Sequence, residues 1–323
     1  MPPPPPPRHS LRPPDDERER AGFASPRERR FEVVDRRYPH PAVSLGWRHR
    51  SLAEGDGLRA AMTAAISRGG DPLLVTWSAD PGAGQVTALV PARANPAWLV
   101  RLLRAAAEQG VGPPVSAVVG DEGAVASTTS ALDAVAFTGA RFTRSPVRSV
   151  LHRRTRDGVT RTTITGVDPA LRFGGPAAAL AVRVAGGGPN PLLPSIVDRS
   201  GLTATIRFVR GLQDGVSTVT WLVDAPERAG LLALEAVLDA GALGLRVEPD
   251  VLSAARASLL AELHGHRHSP VEFARALARY ETLGWDGDLV HDPESALAGV
   301  TTAEVGDAIS GLLKPVVDVL GRT

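Results

Sequence analysis

The sequence predicts an α+β protein of two tandem α/β halves, the first of them shortened, and three observations carry that prediction. Short apolar runs of strand length alternate with stretches of helical period from residue 31 onward. The order strand, helix, strand, strand, helix occurs once in the first half and again in the second. The 323 residues, 43% apolar and 22% charged, suffice for two cores of ordinary size once an uncored head is set aside.

The head is residues 1–29. Met1 is followed by six prolines to Pro7, then by Arg, Asp and Glu with few large apolar groups, so a disordered, Pro/Arg-rich and partly polyproline segment is expected. Residues 30–143 are expected to form the shortened N-terminal half. Phe31 to Asp35 and Ala42 to Trp47 read as strands, and Gly57 to Ile66 as a helix ended by Gly69 and Gly70. Leu73 to Ser78 and Gln85 to Pro91 read as two strands joined by a turn at Asp80, Pro81 and Gly82. A helix follows from about Asn95, with Pro96 suited to its first turn and Leu99, Leu102 and Leu103 on one face.

Residues 144–323 are expected to form the C-terminal half, and they repeat the order. Thr162 to Val167 stands where the Ala42 strand stood, and Pro176 to Ala185 closes on Gly186, Gly187 and Gly188 as the earlier helix closed on its glycines. Val216 to Val223 mirrors Gln85 to Val90, and both lead into leucine-striped helices, here with Leu231, Leu234 and Leu238. Beyond this point only the second half is read as continuing, with helices at Val251 to His264, Pro270 to Tyr280 and Thr302 to Leu313 and a closing strand at Val316 to Leu320. Thr301 or Thr302 ahead of Glu304 reads as an N-cap with an acidic first turn.

A formal net charge of +1 gives no global drive toward nucleic acid or an anionic membrane; nearly all positive charge is arginine, Lys314 being the only lysine. Cysteine is absent, which removes disulfides, thiol nucleophiles and thiolate-bound metal, and makes the cytoplasm the simplest address. No segment reaches the roughly 18 apolar residues that span a bilayer, and the start lacks the apolar core of a signal peptide.

From Glu248 to Pro315 the phrases "VEPDVLSAARASLL", "SPVEFARALARYETLGW" and "LAGVTTAEVGDAISGLLKP" occur in an order that resembles the carboxyl-terminal region of insulinase/pitrilysin-type zinc peptidases, the family that includes the mitochondrial processing peptidase. Upstream, "AAALAVRVAGGGPNPLLPSIVDRSGL" resembles the helix, glycine turn and following segment of the same domain, and "HPAVSLGWRHR" is similar to the start of a shorter copy. The resemblance covers most of residues 31–323. It implies two two-layer α/β sandwich halves, each with helices on one face of a mostly antiparallel sheet.

Peptide hydrolysis in that family needs two histidines four apart on one helix, a neighbouring glutamate and a distant third ligand, in the order His-x-x-Glu-His. None of the eight histidines meets it. His9 lies in the head, and His40, His49 and His152 have no histidine four residues on. His291 has Glu294 three residues later, but Ser295 stands where the second histidine is needed and Pro293 argues against one continuous helix. The family resemblance places the motif in the first domain, so the short first half is expected to have lost the zinc-bearing segment, and no catalytic residue is assigned. The cluster His264, His266 and His268 is the candidate metal site, Gly265 and Pro270 marking it equally as a helix end where histidine suits the macrodipole.

The resemblance also implies an arginine and a tyrosine seven apart that clamp the substrate carbonyl. Anchored on Gly201 and Leu202, Val197 and Ala204 stand at those places, and Arg199 is the remaining candidate for substrate binding. "DPGAGQVT" at residues 80–87 lacks the Lys and Ser/Thr of a phosphate loop and fits a hairpin turn. No Gly-x-Ser-x-Gly elbow occurs. Arg144, Arg148, Arg153, Arg154, Arg156 and Arg161 could touch acidic peptide or phosphate, or form a solvated sheet face; aromatic residues for nucleic-acid stacking are few.

The expected function is that of a noncatalytic subunit of a heteromeric peptidase. It would help enclose and position a peptide substrate while a zinc-bearing subunit of the same family supplies the metal, with no cofactor on this chain and no nucleic-acid or membrane partner. Such divided peptidases occur beside peptide natural-product pathways, which extends the expectation to leader removal. The alternatives are a peptide-binding or scaffold protein outside proteolysis and an enzyme of unseen site.

Overall fold

Two sheets organise the chain in the computed structural model, which describes residues 30–321 except 50–51, 68–71, 81, 92–94, 138–148, 190, 214–215, 227 and 243–244. The head, the boundary between 143 and 144, the Gly69–Gly70 stop, Pro81, Arg144 and Arg148 lie outside the described residues. The first sheet comprises β1 (Arg30–Val34), β2 (Ala42–Arg48), β3 (Leu74–Asp80), β4 (Ala83–Leu89) and β5 (Val115–Gly120), in the order β1-β5-β2-β4-β3. β1 runs parallel to β5 and all other pairs are antiparallel. The second comprises β6 (Val150–Arg156), β7 (Val159–Val167), β8 (Thr205–Gln213) and β9 (Val216–Pro226), antiparallel throughout in the order β6-β7-β9-β8.

The recurrence read in the sequence is a recurrence of topology. In the first half β2 leads through α1 (Leu52–Ser67) to β3, β4 and α2 (Ala97–Glu108). In the second, β7 leads through α4 (Ala170–Phe173), α5 (Gly175–Val182), a π turn at Arg183–Gly187 and α6 (Leu192–Arg199) to β8, β9 and α7 (Ala229–Ala242). The units β2-β4-β3 and β7-β9-β8 therefore share one strand order. The first half does continue past α2, contrary to the sequence expectation: β5 and α3 (Glu122–Asp133) follow, with Asp121 capping α3 by accepting from Ala124 N at 2.8 Å.

After α7 come α8 (Pro249–Gly265), a 3-10 turn at His266–His268, α9 (Pro270–Leu283), α10 (Asp288–His291), α11 (Pro293–Ala298) and α12 (Thr302–Leu320). Thr301 caps α12 through a reciprocal box: its hydroxyl accepts from Glu304 N at 3.2 Å while Glu304 Oε2 accepts from Thr301 N at 2.8 Å. The strand expected at Val316 to Leu320 is instead the end of α12. Pro315 has no N–H for the carbonyl four residues back, yet its ring lies against Gly166 of β7, where any Cβ would collide with it. The Trp221 indole N–H meanwhile donates to the Leu312 carbonyl at 2.9 Å. The proline is seated by that packing, and the Trp221 bond ties the adjoining turn of α12 to β9.

The predicted stripe Leu99, Leu102 and Leu103 is fully buried on α2, where it meets Val43, Leu45, Trp47 and Val86 of the first sheet beside Leu58 and Met62 of α1. The opposite face of that sheet carries small residues, Ala42, Ser44, Gly46 and Ala117, and α9 lies directly on it. A Cβ at Gly46 would run into Thr282 Oγ1. Gln85 Nε2 fastens the contact by donating to Arg275 O at 2.7 Å and to Ser44 Oγ at 2.9 Å. The second half thus supplies the first sheet with a third layer, and β2, β4 and β5 are accordingly buried on both faces.

Among the described residues the second sheet is covered on one face over its whole length and on the other only at the start of β9, where Val216 and Thr218 are buried. Ile164, Ile206, Trp221 and Val223 point inward against Leu180, Leu234 and Leu312, and β7 alternates buried and exposed along its length. β8 meets the turn after α9 within the second half, and Ala83 of β4 packs into the same junction against Leu212, Leu283 and Trp285. Arg210 bonds Asp168 through Nε at 2.6 Å and Nη2 at 3.2 Å, and its guanidinium lies 4.5 Å from the Trp285 ring centroid. Arg48 Nε donates to Thr282 O at 2.6 Å across the same junction.

Candidate functional site

A zinc pair would have to stand one turn apart on a helix of the first half. α1, α2 and α3 carry no histidine at all. His49 follows β2 and is buried against Gly55 and Gly84, with neither ring nitrogen bonded among the described residues, and His40 sits on an exposed loop. His152 lies on the exposed strand β6. His291 ends α10 and Pro293 opens α11, so His291 and Glu294 belong to different helices, as Pro293 led one to expect.

The cluster His264, His266 and His268 is spread over the end of α8 and the 3-10 turn, and its members turn to separate partners. His264 Nε2 meets Glu294 Oε1 at 2.6 Å, and His268 Nδ1 meets Gly265 O at 3.0 Å. Burial pushes the His266 pKa below its ordinary value. Glu294 is held below the usual carboxylate range first by its own backbone N–H at the start of α11 and further by His264. Among the described residues no group of three or more His, Asp or Glu could hold a metal ion. The residues present do not fit the zinc of this peptidase chemistry.

The two places of the substrate clamp are equally without chemistry. Val197 is fully buried on α6 and Ala204 packs against the same core. Arg199 stands in the last turn of α6, exposed, with Nε donating back to Ser195 O at 3.1 Å. Asp80 ends β3 and residues 83–87 belong to β4, with Gly82 between them at φ +89°. A cleft of about 330 Å³ between α2 and α3 is lined by Pro113, Pro114, Leu103, Leu132, Ser116 and the Arg30–Asp133 ion pair, 2.7 Å, which engages the one carboxylate of the lining.

What the described residues do offer is the outward face of the second sheet. Its registers place Val150, Thr165, Thr220 and Val209 in one row across the strands, then His152, Thr163, Leu222 and Arg207 in the next. The third row is Arg154, Arg161, Asp224 and Thr205. Asp224 accepts from Arg161 Nε at 2.6 Å and Nη2 at 2.9 Å and from Arg207 Nη2 at 2.8 Å. The Arg161 bond, with help from Arg207, holds its carboxyl below the usual carboxylate range although partial burial works the other way. Sequence reading singled out Arg154 and Arg161 but missed Arg207 and Asp224; the alternation of Ile206, Phe208, Arg210 and Leu212 against Arg207 and Val209 marks Arg207 as outward, whereas its meeting with Asp224 needs the β8–β9 register.

No family model matches the chain, and no curated protein does. Solved structures are similar in fold. A peptidase M16 inactive domain from Pseudomonas fluorescens superposes with a TM-score of 0.60 at 12% identity, over 86% of this chain and 91% of that one. A protease from Helicobacter pylori gives 0.54 at 12% identity, over 87% and 93%. The periplasmic protease PqqL from Escherichia coli gives 0.53 at 12% identity, over 86% of this chain and 42% of that one. The fold is that of the M16, or insulinase/pitrilysin-type, peptidase domains, here without the residues of their zinc chemistry. No helix among the described residues is long and apolar enough to cross a membrane.

Proposed function

We propose that this chain is the noncatalytic half of a divided peptidase, a subunit that helps enclose and position a peptide while a zinc-bearing subunit of the same fold cleaves it. One observation carries the reading: a peptidase fold matched over 86% of the chain, with three first-half helices that hold no histidine. A protein kept for its shape rather than its chemistry retains cores and loses ligands, which is the pattern of the buried Leu99 stripe beside Val197 and Ala204 at the clamp places. Support for a peptide as the guest comes from the open β-sheet face and from edge strands β6 and β8, which can accept an added strand. The zinc, on this reading, sits on the partner, the pair works in the cytoplasm, and maturation of a peptide natural product is a fitting task.

Co-expression with a His-x-x-Glu-His protein of the same fold from the same organism tests the proposal. A complex on size exclusion whose peptide cleavage exceeds that of the partner alone is expected. Absence of a complex together with no gain in cleavage would leave a scaffold role outside proteolysis.

A further inference from the structure

We infer that the outward face of the second sheet is a docking surface for an acidic stretch of peptide, an inference that rests on reading the chain as a peptide-holding subunit. The first argument is the internal repeat. β2-β4-β3 and β7-β9-β8 are equivalent units whose α1, α2 and α5, α7 lie on equivalent faces, so the face of the first sheet that α9 covers corresponds to the outward face of the second. One copy of this face is filled by an element of the chain itself. The other is bare among the described residues beyond the start of β9, with Val150, Val159 and Val209 between 37% and 51% exposed.

The second argument is charge. The outward positions of the four strands carry Arg154, Arg156, Arg161 and Arg207 against one carboxylate, Asp224, which Arg161 and Arg207 already occupy. Asp157 in the β6–β7 turn is 3.3 Å from Arg156, both more than four-fifths exposed to water. Arg154 stands directly opposite Arg161 in the register, a like-charge pairing that disfavours the strand pair unless an anion lies between. Arg154 has no carboxylate partner among the described residues. The whole chain carries only +1, so this surplus is local to the face.

The chemistry of the face selects the ligand class. The face grades from valine and threonine at the Val150 row to arginine at the Arg154 row, and none of its outward residues is Phe, Tyr or Trp. Single-stranded nucleic acid would find only the His152 ring to stack on there. A peptide with acidic side chains beside apolar ones meets both zones, its carboxylates taking the forked donors of arginine.

The test is fluorescence anisotropy with three labelled 12-residue probes: alternating Glu and Val, alternating Lys and Val, and alternating Gln and Val, each titrated at two salt concentrations, with a single-stranded oligonucleotide as a fourth ligand. The acidic probe is expected to bind at least about tenfold more tightly than the other two, and to weaken with salt. Arg154→Glu/Arg156→Glu should lose about tenfold, Arg154→Lys/Arg156→Lys should retain most of the binding, and the charge-matched control Arg59→Glu/Arg104→Glu, on α1 and α2, should leave it unchanged. Equal binding of the three peptides, equal losses in both Glu variants, or a preference for the oligonucleotide would overturn the inference while leaving the peptide-subunit reading standing. Failure of every peptide to bind alone and with the zinc-bearing partner would overturn both.

Discussion

Replacing Asp168 by alanine should cost more than any single change on the surface, and the structure sets the size. The Asp168 side chain is wholly buried and Arg210 is 9% exposed; the carboxylate accepts both Arg210 bonds and also the Ala170 N–H at 2.7 Å. Removing it leaves a guanidinium without its counter-ion in a nearly dry junction and a helix start without its acceptor. Breaking a buried pair from one side costs about 3–5 kcal/mol, a large part of the roughly 5–15 kcal/mol that a folded domain has. At about 2–4 °C per kcal/mol for a chain of this order, Tm should fall by about 10 °C. Removing both partners in Asp168→Ala/Arg210→Met takes the stranded charge away, so the double variant should recover part of the loss and show a coupling of at least about 2 kcal/mol. Urea denaturation followed through the five tryptophans reads this directly, since Trp285 stacks on Arg210. A single Asp168→Ala variant within about 1 kcal/mol of the parent would refute the junction as described.

Three further outcomes follow from the packing and the titrating groups. Gly46→Ala should destabilise by about 1–3 kcal/mol through the clash with Thr282 Oγ1 and speed amide exchange in α9; adding Thr282→Ala should return part of both, and no rescue would show that α9 is not seated on β2 as described. Thr301→Ala should cost about 1 kcal/mol in denaturant midpoint by removing the α12 capping box, an unchanged midpoint speaking against the cap. Burial lowers the His266 pKa below its ordinary 6.5, so the unfolded chain takes up a proton first as pH falls. Stability is therefore full above that value and declines as pH drops through the folded pKa; His266→Gln should flatten the slope between pH 7.5 and 5, and an identical slope would assign it elsewhere.

Much of the fold was legible because periodicity and turn chemistry agreed. The Leu99, Leu102 and Leu103 spacing, Pro96 at the helix start and Thr301 ahead of Glu304 each named an element and its place in the core. The repeat was legible too, since β7 and β9 follow β2 and β4 in order. β5 escaped notice: "VSAVVG" after Pro113 and Pro114 has no alternation, being central and buried on both faces. The end of α12 was misjudged because Pro315 reads as a breaker, and only the distant Gly166 shows where its ring is seated. The absence of a zinc motif could be read from eight histidines alone, whereas the basic sheet face needed registers. Arg207 and Asp224 are 17 residues apart and meet only through β8 and β9 pairing.

The central claim is a peptidase fold without peptidase chemistry of its own, and hydrolysis of a mixed pool of quenched fluorescent peptides by the purified chain, with added zinc and with chelator, tests it most directly. The account predicts no hydrolysis above background in either condition. Cleavage that zinc supports and chelator abolishes, from this chain alone, would contradict it.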